Sequence, residues 1–175
     1  MSSHNSNPYL DEILALMIVS PTRFFETVIS NVPKLITQGY EPESFEDPFF
    51  AWLWKEVDEG VHCAVRFELM LNYNPQGFKI TVLRRRQRTS VNREKPYAPV
   101  IWDLRNVASL LFGKELFPIG RSTWDFNDEI TLIQQLTSAE AAIVEYGLPW
   151  IEDPKSNVGK LRTLMRKKMQ SKGAK

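Results

Sequence analysis

Residues 62–74, HCAVRFELMLNYN, settle the architecture expected of this chain. The odd positions are Cys63, Val65, Phe67, Leu69, Leu71 and Tyr73; the even ones are His62, Ala64, Arg66, Glu68, Met70, Asn72 and Asn74. A period of two lays one apolar row on one face of a pleated strand. Turn chemistry bounds the stretch on both sides, with Asp58-Glu59-Gly60 before it and Asn74-Pro75-Gln76-Gly77 after it. In the second turn, proline at i+1 and glycine at i+3 suit a type I turn. Flanking strands are expected at about residues 49–57 and 78–86, where Phe78, Ile80 and Val82 continue the alternation. Turns this short join only antiparallel neighbours. The expected fold is therefore α+β: an antiparallel β-meander of three or more strands, helices packed on one face, and a basic helix at the C-terminal end.

Helix signals lie on both sides of the meander. Asn7-Pro8 reads as a start, followed by Leu10, Ile13, Leu14 and Met17 at helical spacing. Ser20-Pro21 repeats the start signal. The stripe of Phe25, Val28, Ile29, Val32, Leu35 and Ile36 follows, and Gly39 reads as a stop. Pro33 inside that stripe should kink or split the helix near Ile29. Residues 84–99, with two prolines and a polar run, read as a loop or strand end. Asp103 caps a short helix through Val107, Ala108, Leu110 and Leu111, stopped by Gly113. Residues 117–120 are a loop. Asn127 or Asp128 then caps a long helix with Leu132, Leu136, Ala139, Ile143 and Tyr146 along one side, ending at Gly147. A last helix over about residues 157–171 places Val158, Leu161, Leu164, Met165 and Met169 on one side.

Composition fits this picture. A chain of 175 residues, 43% hydrophobic, suits one domain. Such a chain buries roughly 70% of its unfolded surface. The single cysteine, Cys63, allows no internal disulfide and suits a reducing compartment. The first residues lack the basic and apolar segments of a signal peptide, and the apolar stretch at 13–19 is seven residues. That is far from the roughly 20 needed to span a bilayer. The expectation is a soluble, cytoplasmic protein.

Charge is segregated. The chain has 22 basic and 21 acidic residues, but residues 154–175 hold eight of the basic ones and no acid. Residues 1–153 are left with 14 basic and 21 acidic, a net of −7. This divides the chain into a single α+β domain, 1–153, and a basic amphipathic helix and tail, 154–175. Segregated charge concerns partners rather than fold.

No constellation for chemistry stands out. The two histidines are His4 and His62, and His62 points away from its neighbour Cys63 on a strand, so no metal site is expected. No cofactor fingerprint or nucleophile elbow is present, and Cys63 alternates with Val65 and Phe67 as a small core residue. The acids Glu41, Glu43, Glu46, Asp47, Glu56, Asp58 and Glu59 cluster at turns, where solvation is the plain reading. Two basic groups are the candidate binding residues. The first is Arg84, Arg85, Arg86, Arg88 and Arg93, with Lys95 beside them. Their guanidinium forks suit phosphate or carboxylate, and Tyr97 and Trp102 are near enough in sequence to stack on bases. The plain reading is a solvated strand end pairing with the acidic loop at 41–47. The second group is Lys160, Arg162, Arg166, Lys167 and Lys168 on the terminal helix. That helix either packs on the domain with its lysines outward, or meets an acidic protein, nucleic acid or a membrane surface.

Most of the chain resembles a bacterial family. A helix ending in Gly39-Tyr40 precedes an aromatic-rich meander at 49–54 and 66–71, then Asp103-x-Arg105, Trp124, and a helix ending in Gly147-Leu148-Pro149-Trp150-Ile151. This layout over about residues 23–152 is similar to the domain of unknown function 4304 family. The resemblance implies an α+β fold and no known activity.

The function expected is a non-catalytic interaction or accessory module, binding a macromolecular partner, foremost a protein, through charged surface. A nucleic-acid-binding protein using residues 84–95 and the basic helix is the alternative. A third reading is an enzyme whose loop acids, such as Glu46 and Asp47, meet Arg66 or Arg105 in a cleft.

Overall fold

Ser20 accepts a hydrogen bond from the Arg23 N–H and opens helix α1, Pro21–Ser30. The chain then breaks, and α2, Pro33–Thr37, starts at the proline itself. Pro33 has no N–H to give the preceding turn, so the apolar stripe becomes two helices. Gly39 takes φ +87°, the left-handed conformation that ends α2. Both helices belong to a computed structural model of the chain, which describes residues 17–43, 49–71, 75–86, 100–118, 121–153 and 158–173. The expected start at Asn7-Pro8, Leu10, Ile13 and Leu14 lies outside the described residues.

The meander follows as β1 (Glu41–Glu43), β2 (Phe50–Asp58), β3 (Val61–Leu69) and β4 (Gln76–Arg86). All neighbours are antiparallel, in the order β1-β2-β3-β4. The far edge of β4 is shared by two short strands. β5, Val100–Asp103, pairs with Thr81 to Arg84, and β6, Trp124–Phe126, pairs with Gln76 to Phe78. Register sets Leu53, Val65, Val82 and Trp102 side by side, and Ala51, Phe67 and Ile80 beside them. The alternating row therefore lies on one sheet face, with Cys63, Val65, Phe67 and Leu69 buried. It ends earlier than its pattern. Leu71 follows the strand and is 42% exposed.

The helices cover this face. After α1 and α2 come α3 (Leu104–Phe112), α4 (Glu129–Ala142), one π turn (Ile143–Gly147), α5 (Leu148–Ile151) and α6 (Val158–Gly173). Asp103 caps α3 through the Arg105 N–H, and Gly113 ends it at φ +66°. Asp128 and Thr131 form a capping box on α4. Phe78 sits at the centre of the core, its ring 5.8 Å from Phe24, 5.7 Å from Trp124 and 6.1 Å from Phe67.

Gly147 does not stop the long helix. Leu148 N–H reaches back to the Ile143 carbonyl, a widened turn that lets the helix run on past Pro149. A proline ring crowds the carbonyl four residues back in an ordinary helix, and the wider turn relieves it. Glycine suits position 147 because the space there is tight. A Cβ there would lie 3.1 Å from Leu104 Cδ1 and 3.2 Å from Val82 Cγ1.

Buried polar groups are matched across distant elements. The Gln76 amide accepts from Val19 N–H (3.0 Å) and donates to Val19 O (3.3 Å), fixing the entry to α1 on β4. Glu140 on α4 is 3% exposed, and its Oε1 accepts from the N–H groups of Lys34 (2.7 Å) and Leu35 (3.0 Å). Val32, the residue before α2, offers no side-chain cap, so a carboxylate about a hundred positions later supplies it.

Candidate functional site

The residues expected to bind fall into different places. Arg84 shares the core-side face with Cys63 and Lys55, because the register aligns the three. Its Nη1 donates to the Asp153 carbonyl. The acids Glu41 and Glu43 are on β1, with β2 and β3 between them and β4. Arg85 and Arg86 continue β4, while Arg88, Arg93, Lys95 and Tyr97 lie outside the described residues. Trp102, the other ring expected to stack on bases, packs edge-on against Trp150, at 6.5 Å and 80°.

Arg84 belongs to a lock at one end of the sheet. Glu152 Oε1 accepts from Tyr40 OH (3.0 Å) and from Lys55 Nζ (2.9 Å). Cys63 Sγ donates to the Ile151 carbonyl at 3.0 Å. Burial pushes the Cys63 thiol up to about 11 and raises the Tyr40 phenol well above its ordinary value, with the Glu152 carboxylate adding to the effect on Tyr40. The side chains hold residues 151–153 to the sheet.

Helix α6 then lies against α3. At 100° per residue, Leu161, Leu164, Met165 and Lys168 share one side. Leu161 is fully buried in the main core, and Lys168 Nζ donates to Ser109 Oγ on α3 and comes within 3.4 Å of Glu115. Lys168 is therefore a packing contact, apart from the other cations expected to act with it. Lys160, Arg162, Arg166 and Lys167 occupy the opposite side and are exposed. None of the four has an ion pair or hydrogen-bonded side chain among the described residues. They span about 10 Å of helix, from a rise of ~1.5 Å per residue, with no acid on the same element.

The outer sheet face was read only as the polar side of the meander. It carries Phe50, Trp52 and Trp54 in one row, with the two indoles stacked 5.4 Å apart. The Arg66 guanidinium lies 4.7 Å from the Phe50 ring centre and 5.2 Å from that of Trp52, and bonds Thr81 and Glu68. Arg66 is thus engaged within the sheet, while Arg105 is on α3. The period-two spacing of Phe50, Trp52 and Trp54 was the available signal for this row.

His62 pairs in register with Glu56, near Glu41 and Glu43. Among the described residues no group of three or more His, Cys, Asp or Glu side chains is placed to hold a metal ion. Among them, too, no helix is long and apolar enough to cross a membrane. Comparison with family models, with curated proteins and with solved structures finds no match.

Proposed function

We propose that this protein is a non-catalytic interaction module of the cytoplasm that docks on the acidic surface of a protein partner through the outward side of α6. One observation carries the reading. Lys160, Arg162, Arg166 and Lys167 are exposed together on a helix whose other side is anchored by Leu161 and Lys168. Four cations held on a docked helix lose less freedom on binding than four on a loose tail. Opposed charge steers encounter and sets salt dependence more than it sets final affinity. Kinship with the domain of unknown function 4304 family is part of this proposal, on the sequence layout from Gly39-Tyr40 through Asp103-x-Arg105 to Gly147-Leu148-Pro149-Trp150-Ile151, and it adds no activity.

The nucleic-acid alternative asks for rings beside the cations. It is weakened by Trp102, which faces Trp150, and by Arg84, which serves the Asp153 carbonyl.

Fluorescence anisotropy with a labelled polyglutamate peptide and a labelled oligonucleotide of equal charge tests the proposal. Peptide binding is expected at low salt, fading as the Debye length shrinks from roughly 10 Å at 0.1 M to about 3 Å at 1 M. The variant K160E/R162E/R166E/K167E should abolish it. Tighter binding of the oligonucleotide would transfer the site to the alternative. Parent-like peptide binding by the variant would refute the role of α6.

A further inference from the structure

The α6 face just described leaves the inner side of the same helix unexplained, and there the structure forms an open groove of about 700 Å³. That volume is within the range of small-molecule sites, roughly 300–1,000 Å³. We infer that this groove between α3 and α6 binds a small organic oxyanion carried on an apolar body.

Three elements build it. Helix α3 contributes Arg105, Asn106, Ser109 and Leu110, which share one helix face. Helix α6 contributes Met165, Lys168 and Met169 at the i, i+3, i+4 spacing of one side. The connection after α3 supplies Glu115, Phe117 and Pro118, and Arg121 follows.

The charges do not balance. Arg105, Arg121 and Lys168 line the groove with Glu115, and Asp125 stands behind Arg121, which leaves a surplus of one positive charge. Lys168 is committed to Ser109 and Glu115. Arg121 has a long contact with Asp125, at 3.9 Å. Asp125 is itself bonded by Thr123 Oγ1. The half-buried Arg105 side chain has no ion pair or hydrogen bond among the described residues. A partly desolvated guanidinium without a partner is unfavourable, and its planar fork matches a carboxylate or phosphate bidentately.

The remaining wall is apolar. Phe117 is fixed edge-on against Trp124 at 4.5 Å, which makes a rigid side. Met165 and Met169 line the groove from α6, and Met169 is 68% exposed. Unbranched thioether side chains adapt to irregular apolar shapes. An oxyanion on Arg105 would leave its apolar part between Phe117 and these methionines. Because the outward cations of α6 play no part, this site stands or falls separately from the docking face.

Isothermal titration calorimetry with decanoate, decanol and acetate tests the inference. Decanoate should bind at least tenfold more tightly than either the uncharged chain or the short anion. R105M should weaken decanoate binding at least tenfold, and R105K should restore little, since it keeps the charge and loses the fork. R121M repeats the test at an exposed position and should weaken binding several-fold. K114M removes one positive charge just outside the groove and should leave the affinity within twofold. Equal binding of decanoate and decanol, a K114M loss as large as that of R105M, or no decanoate binding at millimolar concentration would overturn the inference. Binding of the polyglutamate peptide that is displaced by decanoate would also overturn it, since the groove would then be a peptide site.

Discussion

Replacing Glu140 tests whether a distant carboxylate really closes the first turn of α2. The residue is 3% exposed, and one oxygen accepts two N–H groups, at 2.7 and 3.0 Å. Hydrogen bonds to charged groups contribute about 1.5–3 kcal/mol each, and an unpaired buried donor costs about 1–3 kcal/mol. The Leu35 donor is buried, while the Lys34 donor is partly open to water. Removing a buried carboxylate also relieves its own desolvation cost. The net loss expected for Glu140→Ala is then about 2–3 kcal/mol. For a chain of this length, 1 kcal/mol shifts Tm by roughly 2–4 °C, so Tm should fall by about 4–12 °C. Glu140→Gln keeps an acceptor and gives up the charge, and should lose about 1 kcal/mol. Urea unfolding followed by circular dichroism measures both, with the midpoint moving and the slope unchanged. Should Glu140→Ala unfold within about 0.5 kcal/mol of the parent, or Gln prove as costly as Ala, the capping argument is wrong.

Two further outcomes concern packing and protons. Gly147→Ala gains about 1 kcal/mol of helix propensity but forces its methyl against Leu104 and Val82, so a net loss of about 1–2 kcal/mol is expected in urea melts; a stabilised variant would show that those side chains yield freely. Stability should be lost as pH rises from 9.0, the ordinary Cys value, toward about 11, because the folded protein holds the Cys63 proton that the unfolded chain releases. Tyr40 acts in the same direction from its ordinary value of 10.0 upward. Cys63→Ala should make the alkaline decline shallower, and melts between pH 8 and 11 that stay flat or rise would contradict the linkage.

Local rules made much of the fold readable. Ser20, Asp103 and Asp128 announce helix starts because a cap bonds an N–H two or three residues away. Pro33 splits its stripe because the missing donor acts within one turn. The alternation from Cys63 to Leu69 gives a one-sided strand because the pleat has a period of two. The same rules misjudged Gly147, whose neighbours Leu104 and Val82 come from other elements. They also grouped Lys168 with cations on the opposite side of its helix, since charge counting carries no direction.

The amino-acid sequence by itself determined where the three long meander strands and the capped helices begin, which residues alternate, and that positive charge collects at one end. Those facts depend on contacts within a few residues. Only the tertiary structure decided that Arg84 would serve a carbonyl, that Glu140 would cap a helix about a hundred residues earlier, and that Arg105 would face a groove beside Met165. Each of these depends on how the sheet and its helices bring distant backbone together, and no local pattern encodes that distance.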